Sequence, residues 1–188
     1  MKRKSFVLLN ILLACSSLVY ADNDVSSNPK TCEQAGGKVI ELRPLYEAHT
    51  GIVYGAPKEF CQFNNLRKGG LNEIMGLDAF EATTPNFAET FVKKLKILPL
   101  QKLPTKPFND PALNVCLELG GSEVEFTIPE GAFVNNMNAQ MDMCVFGDGS
   151  SISAWSLAYA ARFPLLSKLR NNHNSEPLDI SIPNITSN

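Results

Sequence analysis

Four cysteines, Cys32, Cys61, Cys116 and Cys144, fall into two pairs spaced 29 and 28 residues apart, and the sequence around them repeats. The first stretch reads Asn28-Pro29, Cys32, Gly36-Gly37, Lys38-Val39-Ile40-Glu41-Leu42 and Cys61-Gln62-Phe63. The second reads Asp110-Pro111, Cys116, Gly120-Gly121, Ser122-Glu123-Val124-Glu125-Phe126 and Cys144-Val145-Phe146. In both, the glycine pair begins four residues after the first cysteine and an aromatic stands two after the second. Self-similarity of this kind constrains a fold more than any local propensity does.

The chemistry of each stretch follows from its residues. Asn or Asp caps a helix N-terminus, Pro suits the first helical position, and Gly ends a helix. A short helix is therefore expected at the start of each copy, over Pro111 to Leu119 in the second, with Leu113, Cys116 and Leu117 on one face. Gly36, Gly37, Gly120 and Gly121 act as the helix stops. The alternation Val39, Glu41 and Val124, Phe126 predicts a strand leaving each stop, and Met141, Met143, Val145 a returning strand at period two. The expected fold class is α+β: two small tandem disulfide-stapled modules, each a short helix, an antiparallel hairpin or small sheet, and a closing helix.

Four cysteines allow three pairings, and the repeat selects Cys32 with Cys61 and Cys116 with Cys144, with pairing across the copies as the alternative. Closing a loop of this size stabilises a domain by about 3.6 kcal/mol on the chain-entropy model. The N-terminus supports an oxidising compartment. Met1-Lys2-Arg3-Lys4 precedes an apolar run from Ser5 to Leu18, the form of a secretory signal. Val19-Tyr20-Ala21 favours cleavage after Ala21, making 1–21 a signal peptide. Leu12-Leu13-Ala14-Cys15 has the form of a lipobox, in which Cys15 would be lipidated and anchor the chain in the cell envelope. Cleavage after Ala21 removes three of the 17 basic residues and none of the 19 acidic ones, leaving a net charge of −5. An acidic chain is a poor partner for nucleic acid.

The first module is expected over 28–82 and the second over 110–165, where Ile152 to Arg162 with Trp155 reads as a closing helix. Phe80 would take the place of Trp155 in the first copy, both as core aromatics. Between the modules, 83–109 reads as a bridging helix with the stripe Phe87, Phe91, Val92 and Leu95, then a linker broken by Pro99, Pro104 and Pro107. The Asn-rich, Pro-interrupted segment 171–188 reads as a mobile tail.

The order Asp110-Pro111-Ala112, Cys116, Gly120-Gly121, Cys144-Val145-Phe146, Gly147-Asp148-Gly149-Ser150, Trp155-Ser156-Leu157 resembles the small bacterial domain-of-unknown-function 333 family. The likeness covers roughly 110–162 and reaches 28–82 only through the cysteines, the glycine pair and Phe63. The first copy lacks the Gly-Asp-Gly turn and the Trp, and Ala154 stands where an acidic residue commonly precedes that Trp. The resemblance implies an exported or lipid-anchored envelope protein, often carrying a hemolysin label, and supplies no mechanism.

No catalytic constellation stands out. Only His49 and His173 could serve as imidazole bases, and bridged cysteines leave no thiolate. No spacing singles out a carboxylate pair, and no Gly-rich loop of phosphate-binding form is present. Met137, Met141 and Met143 are soft donors suited to Cu(I), yet Met141 and Met143 at period two also read as an inward strand face. No cofactor or metal is expected. The function expected is a non-catalytic binding or inhibitory module whose partner is another protein. Its recognition loops would be Pro44 to Lys58, with Tyr46, His49 and Tyr54, and Pro129 to Asn138, with Phe133. The alternative is a membrane-associated or membrane-damaging protein using Phe87 to Lys96, or held at a membrane by a lipidated Cys15.

Overall fold

The computed structural model describes residues 29–64, 72–95, 103–128, 142–160 and 176–185. Within these, the first half runs α1 (Pro29–Gln34), β1 (Lys38–Ala48), β2 (Gly51–Tyr54), β3 (Lys58–Asn64), β4 (Asn72–Gly76) and α2 (Leu77–Phe80). After α3 (Phe87–Lys94), the second half runs α4 (Pro111–Glu118), β5 (Ser122–Thr127), β6 (Asp142–Val145), β7 (Ser151–Ser153) and α5 (Ala154–Ala158). Both expected disulfides are present, with Cα atoms 5.7 Å apart for Cys32–Cys61 and 5.6 Å for Cys116–Cys144.

The helix starts and stops follow the sequence chemistry. The Asp110 side chain accepts from the Ala112 N–H at 2.8 Å, with Pro111 opening α4. Gly36 and Gly120 adopt φ of +86° and +78°, which L side chains avoid, and end α1 and α4. The second glycine of each pair has a different role. A Cβ on Gly37 would sit 2.7 Å from Cys61 Sγ, 2.8 Å from Cys32 Sγ and 2.9 Å from Phe63 Cε1. A Cβ on Gly121 would meet the matching atoms of Cys144, Cys116 and Phe146. The backbone therefore lies directly against each disulfide. Ala112, Val115 and Cys116 are buried on α4 and Leu119 just past its end; of the expected stripe, Cys116 is buried and Leu113 packs against the core, whereas Leu117 is exposed.

The strands do not form two separate small sheets. They run in the order β2-β1-β3-β4-β7-β6-β5, and β1 also pairs with β5, so six strands close into one antiparallel barrel with β2 outside the ring. Closure occurs where the halves meet, Arg43 opposite Thr127 and Met75 opposite Ile152. Each seam joins residues that sit alike relative to the glycine pairs and the short helices. Arg43 and Thr127 lie six residues past Gly37 and Gly121, and Met75 and Ile152 each precede the N-cap of a short helix, Gly76 and Ser153. A half barrel would leave both of its outer strands as open edges, and each half covers those of the other.

Period two sorts the strand residues onto two sides. Leu42, Phe60, Ile74, Phe126 and Met143 fill the barrel, where Phe60 and Phe126 meet edge to face with ring centroids 5.3 Å apart. The disulfides, Phe63, Phe146, Met75 and Ile152 face outward into a second core beneath the helices.

Several expectations change accordingly. Ile152 is a strand residue and the closing helix begins at Ala154. Phe80, at the end of α2, is buried and packs on Phe63, whereas Trp155, in the first turn of α5, is half-buried. The α3 helix does not bridge separate modules, because Ala88, Phe91 and Val92 are buried in the shared core. The end of the linker is also tied down. Asn114 on α4 donates to the Pro104 and Phe108 carbonyls and accepts from the Phe108 N–H, and Leu103 is buried. Residues 176–185, within the segment expected as a tail, make specific contacts with α3. The Leu178 N–H donates to Thr90 Oγ1, Lys94 Nζ donates to the Leu178 and Ile180 carbonyls, and Ile185 is buried. Isoleucines spaced along an otherwise polar segment supply the apolar contacts that its composition obscured.

Candidate recognition surface

β1 is eleven residues long and changes partners along its length. Lys38 to Leu42 pair with β3, Arg43 and Pro44 with β5, and Leu45 to Ala48 leave the barrel and pair only with β2. The Pro44 to Lys58 stretch expected as a recognition loop is thus largely a hairpin, turning through His49 and Thr50 with Ala48 opposite Gly51. Gly51, at φ +112°, supplies the backbone conformation the turn needs. Gly55 closes the other end: its N–H donates to the Pro44 carbonyl at 2.8 Å, and a Cβ there would lie 2.6 Å from Pro44 Cγ. The loop expectation overlooked the alternation Tyr46, Ala48 and Ile52, Tyr54, which β-branched and aromatic residues convert to strands.

The hairpin displays large apolar side chains that are about half exposed. Ile52 is 52% exposed, Tyr46 49%, Val53 47% and Tyr54 44%, while barrel residues of similar size are buried. Tyr46 and Val53 share one face, and Tyr54 and Ile52 lie on the other. Edge strands of soluble proteins usually carry charge or proline against unwanted pairing, and Gly51-Ile52-Val53-Tyr54 carries neither. Of the expected recognition residues, the fold brings Tyr46, His49 and Tyr54 together here. Phe133 lies outside the described residues, as do Cys15, Met137, Met141 and His173.

The chain matches no protein-family model, no curated protein and no solved structure. What the surface can do rests on its own geometry. Met143, one of the soft donors, is enclosed in the barrel among Leu42, Phe60 and Phe126. No group of three His, Cys, Asp or Glu side chains able to hold a metal occurs among the described residues. Trp155 is half-buried, packs against the helix-side core and stacks on Tyr159 at 5.3 Å.

The Gly147-Asp148-Gly149-Ser150 turn acts as a helix cap supplied from a distance. Asp148 Oδ2 accepts from the Phe87 N–H at 2.8 Å and Ser150 Oγ from the Ala88 N–H at 3.1 Å, while Asn86 Oδ1 takes the Glu89 N–H at 2.8 Å. Asp148 Oδ1 holds Ser150 in place by accepting from its N–H and its hydroxyl. The opening N–H groups of α3, unsatisfied within any helix, are thereby met.

On the outer face of β5 and β6, Glu125 stands directly opposite Asp142, with Glu123 beside them. Burial, then the charges of Glu123, Asp110 and Glu125, push the Asp142 carboxyl up to about 6. Burial and Glu125 raise Glu123. A cleft of about 240 Å³ lined by Pro57, Lys58, Glu59, Leu77, Asp78 and Ser151 does not include these carboxylates. Both disulfides place the chain in a non-cytoplasmic, oxidising compartment, and among the described residues no helix is long and apolar enough to cross a membrane.

Proposed function

We propose that this protein is an exported, non-catalytic binding module of the bacterial envelope or extracellular space, which contacts another protein through the β1–β2 hairpin. The observation that carries the reading is the exposure of Tyr46, Ile52, Val53 and Tyr54 on a hairpin held clear of the barrel. Aromatic and β-branched side chains on a pre-ordered strand pair suit recognition, because little conformational freedom is lost when they bind. The signal-like N-terminus supports export, with release after Ala21 or anchoring through Cys15 as its two forms. The reading of the halves as diverged copies of one unit belongs to the same proposal. It is supported by the matched disulfides, the matched glycine pairs and the seams at equivalent positions. The resemblance to the family of unknown function fits this setting and adds no activity.

The alternative is a membrane-associated or membrane-damaging protein. Its amphipathic candidate, α3, spends its apolar face on the core, and its basic residues are engaged, Lys93 with Glu89 and Lys94 with the Leu178 and Ile180 carbonyls. The test is saturable capture of a protein from envelope or host extracts by the immobilised chain, competed by free chain and lost in Tyr46→Ser/Tyr54→Ser. Liposome leakage at physiological salt, retained by that variant and unaccompanied by hairpin-dependent capture, would overturn the proposal.

A further inference from the structure

The free edge of β2 has a register of its own. Pro44 stands opposite Gly55 and accepts its N–H, so this is a hydrogen-bonded position of the antiparallel ladder. Such positions alternate with non-hydrogen-bonded ones. Tyr46 and Val53 are therefore bonded to each other, whereas Leu45–Tyr54 and Glu47–Ile52 are non-bonded pairs. It follows that the N–H and C=O groups of Ile52 and Tyr54 point away from β1, toward the open edge, with Val53 between them.

That arrangement is self-complementary. A second β2 approaching antiparallel about a two-fold axis through Val53 sets Ile52 of one copy opposite Tyr54 of the other, twice, with all their outward backbone groups matched. The side chains match as well. Aromatic and β-branched residues face each other at both Ile52–Tyr54 contacts, a favourable cross-strand combination. On the other face Val53 meets Val53, flanked by the two Tyr46 rings. β2 carries no charge, so no like charges oppose across the axis. A register centred on Ile52 would instead bring Tyr54 against Thr50 of the turn, where no strand continues.

We infer that the occupant of this edge is a second copy of the chain, joined by β2–β2 strand addition centred on Val53. The inference rests on the hairpin being a contact surface and adds a second copy of the chain as the occupant of its open edge. Two short strands bury well under the roughly 800 Å² per partner of a standard interface, so the dimer is reversible and forms at about 10 µM to 1 mM.

Cysteine substitution in the full chain reads the register directly. Opposed non-bonded residues have Cα atoms about 4.5 Å apart, within disulfide reach, so Val53→Cys should cross-link into a covalent dimer at least about tenfold faster than Ile52→Cys under mild oxidation. Val53→Lys and Val53→Glu should each sediment as monomers and form a heterodimer when mixed. All these positions are exposed, so folding is not at stake. Equal cross-linking of both cysteine variants, or a wild-type chain that stays monomeric throughout that concentration range, would overturn the inference. A monomeric chain that still captures an envelope protein through the hairpin would overturn this inference alone and leave the binding reading standing.

Discussion

Gly121→Ala is a single methyl placed against a disulfide. The new Cβ would lie 2.9 Å from Cys116 Sγ, 3.0 Å from Phe146 Cε1 and closer still to Cys144 Sγ, where ordinary contact is 3.4–4 Å. Both cysteines are fully buried, so the sulfurs have nowhere to retreat without moving α4 or β6. Overpacking of this kind costs about 1–3 kcal/mol, and three simultaneous contacts put Gly121→Ala near the upper end. The assay is urea unfolding of the single variant, of Cys116→Ala/Cys144→Ala, and of the triple variant. Removing the sulfurs should itself cost about 2–5 kcal/mol. In that background the methyl enters vacated space, and its cost should fall to about 1 kcal/mol or less, a coupling of about 2 kcal/mol. Gly37→Ala with the Cys32–Cys61 pair should behave alike, because its contacts are the same. An equal cost for Gly121→Ala with and without the sulfurs would refute the claim that the disulfide dictates glycine there.

Three further outcomes follow from the same structure. Asp142 has a folded-state pKa of about 6 against an ordinary value of 3.8, so the folded state holds its proton more tightly and stability falls as pH rises from about 4 through 6. Because the group is only half-buried, solvent screening limits the effect to about 1 kcal/mol, and Asp142→Asn should lose less stability than wild type between about pH 4 and about pH 7.5, read as a smaller drop in urea midpoint. Asp148→Ala strips the Phe87 N–H of its acceptor and releases Ser150, and should cost about 1–2 kcal/mol with faster amide exchange at Phe87 and Ala88. Tyr46→Ser/Tyr54→Ser should change stability by no more than about 0.5 kcal/mol in thermal melts while abolishing hairpin-dependent binding.

The sequence carries the local parts of this fold and little of their assembly. Cysteine spacing and the glycine pairs are written next to the residues they act on, so both disulfides and both helix stops could be read directly. Barrel closure could not. Period two in β1 and β5 says which side of a strand is apolar, and nothing in Arg43 or Thr127 names the other as a neighbour. The Asp148 cap escaped for the same reason, since its target lies 61 residues away. Gly37 and Gly121 are legible as part of the helix stops, but their close approach to sulfur depends on the partner cysteine arriving from β3 or β6. The hairpin was half legible. Tyr46, His49 and Tyr54 fall on one exposed element, whose strand character is obscured by Pro44, Gly51 and Gly55, residue types common in loops that serve here as its hinge and turn.

The hairpin projects where β1 leaves β5, so the account stands on the two seams that close the barrel. Nuclear Overhauser contacts in the isotope-labelled oxidised chain test them most directly. The structure predicts backbone contacts between Pro44 and Phe126 and between Met75 and Ile152. Contacts confined to β1–β3–β4 and to β5–β6–β7, with neither seam observed, would contradict it.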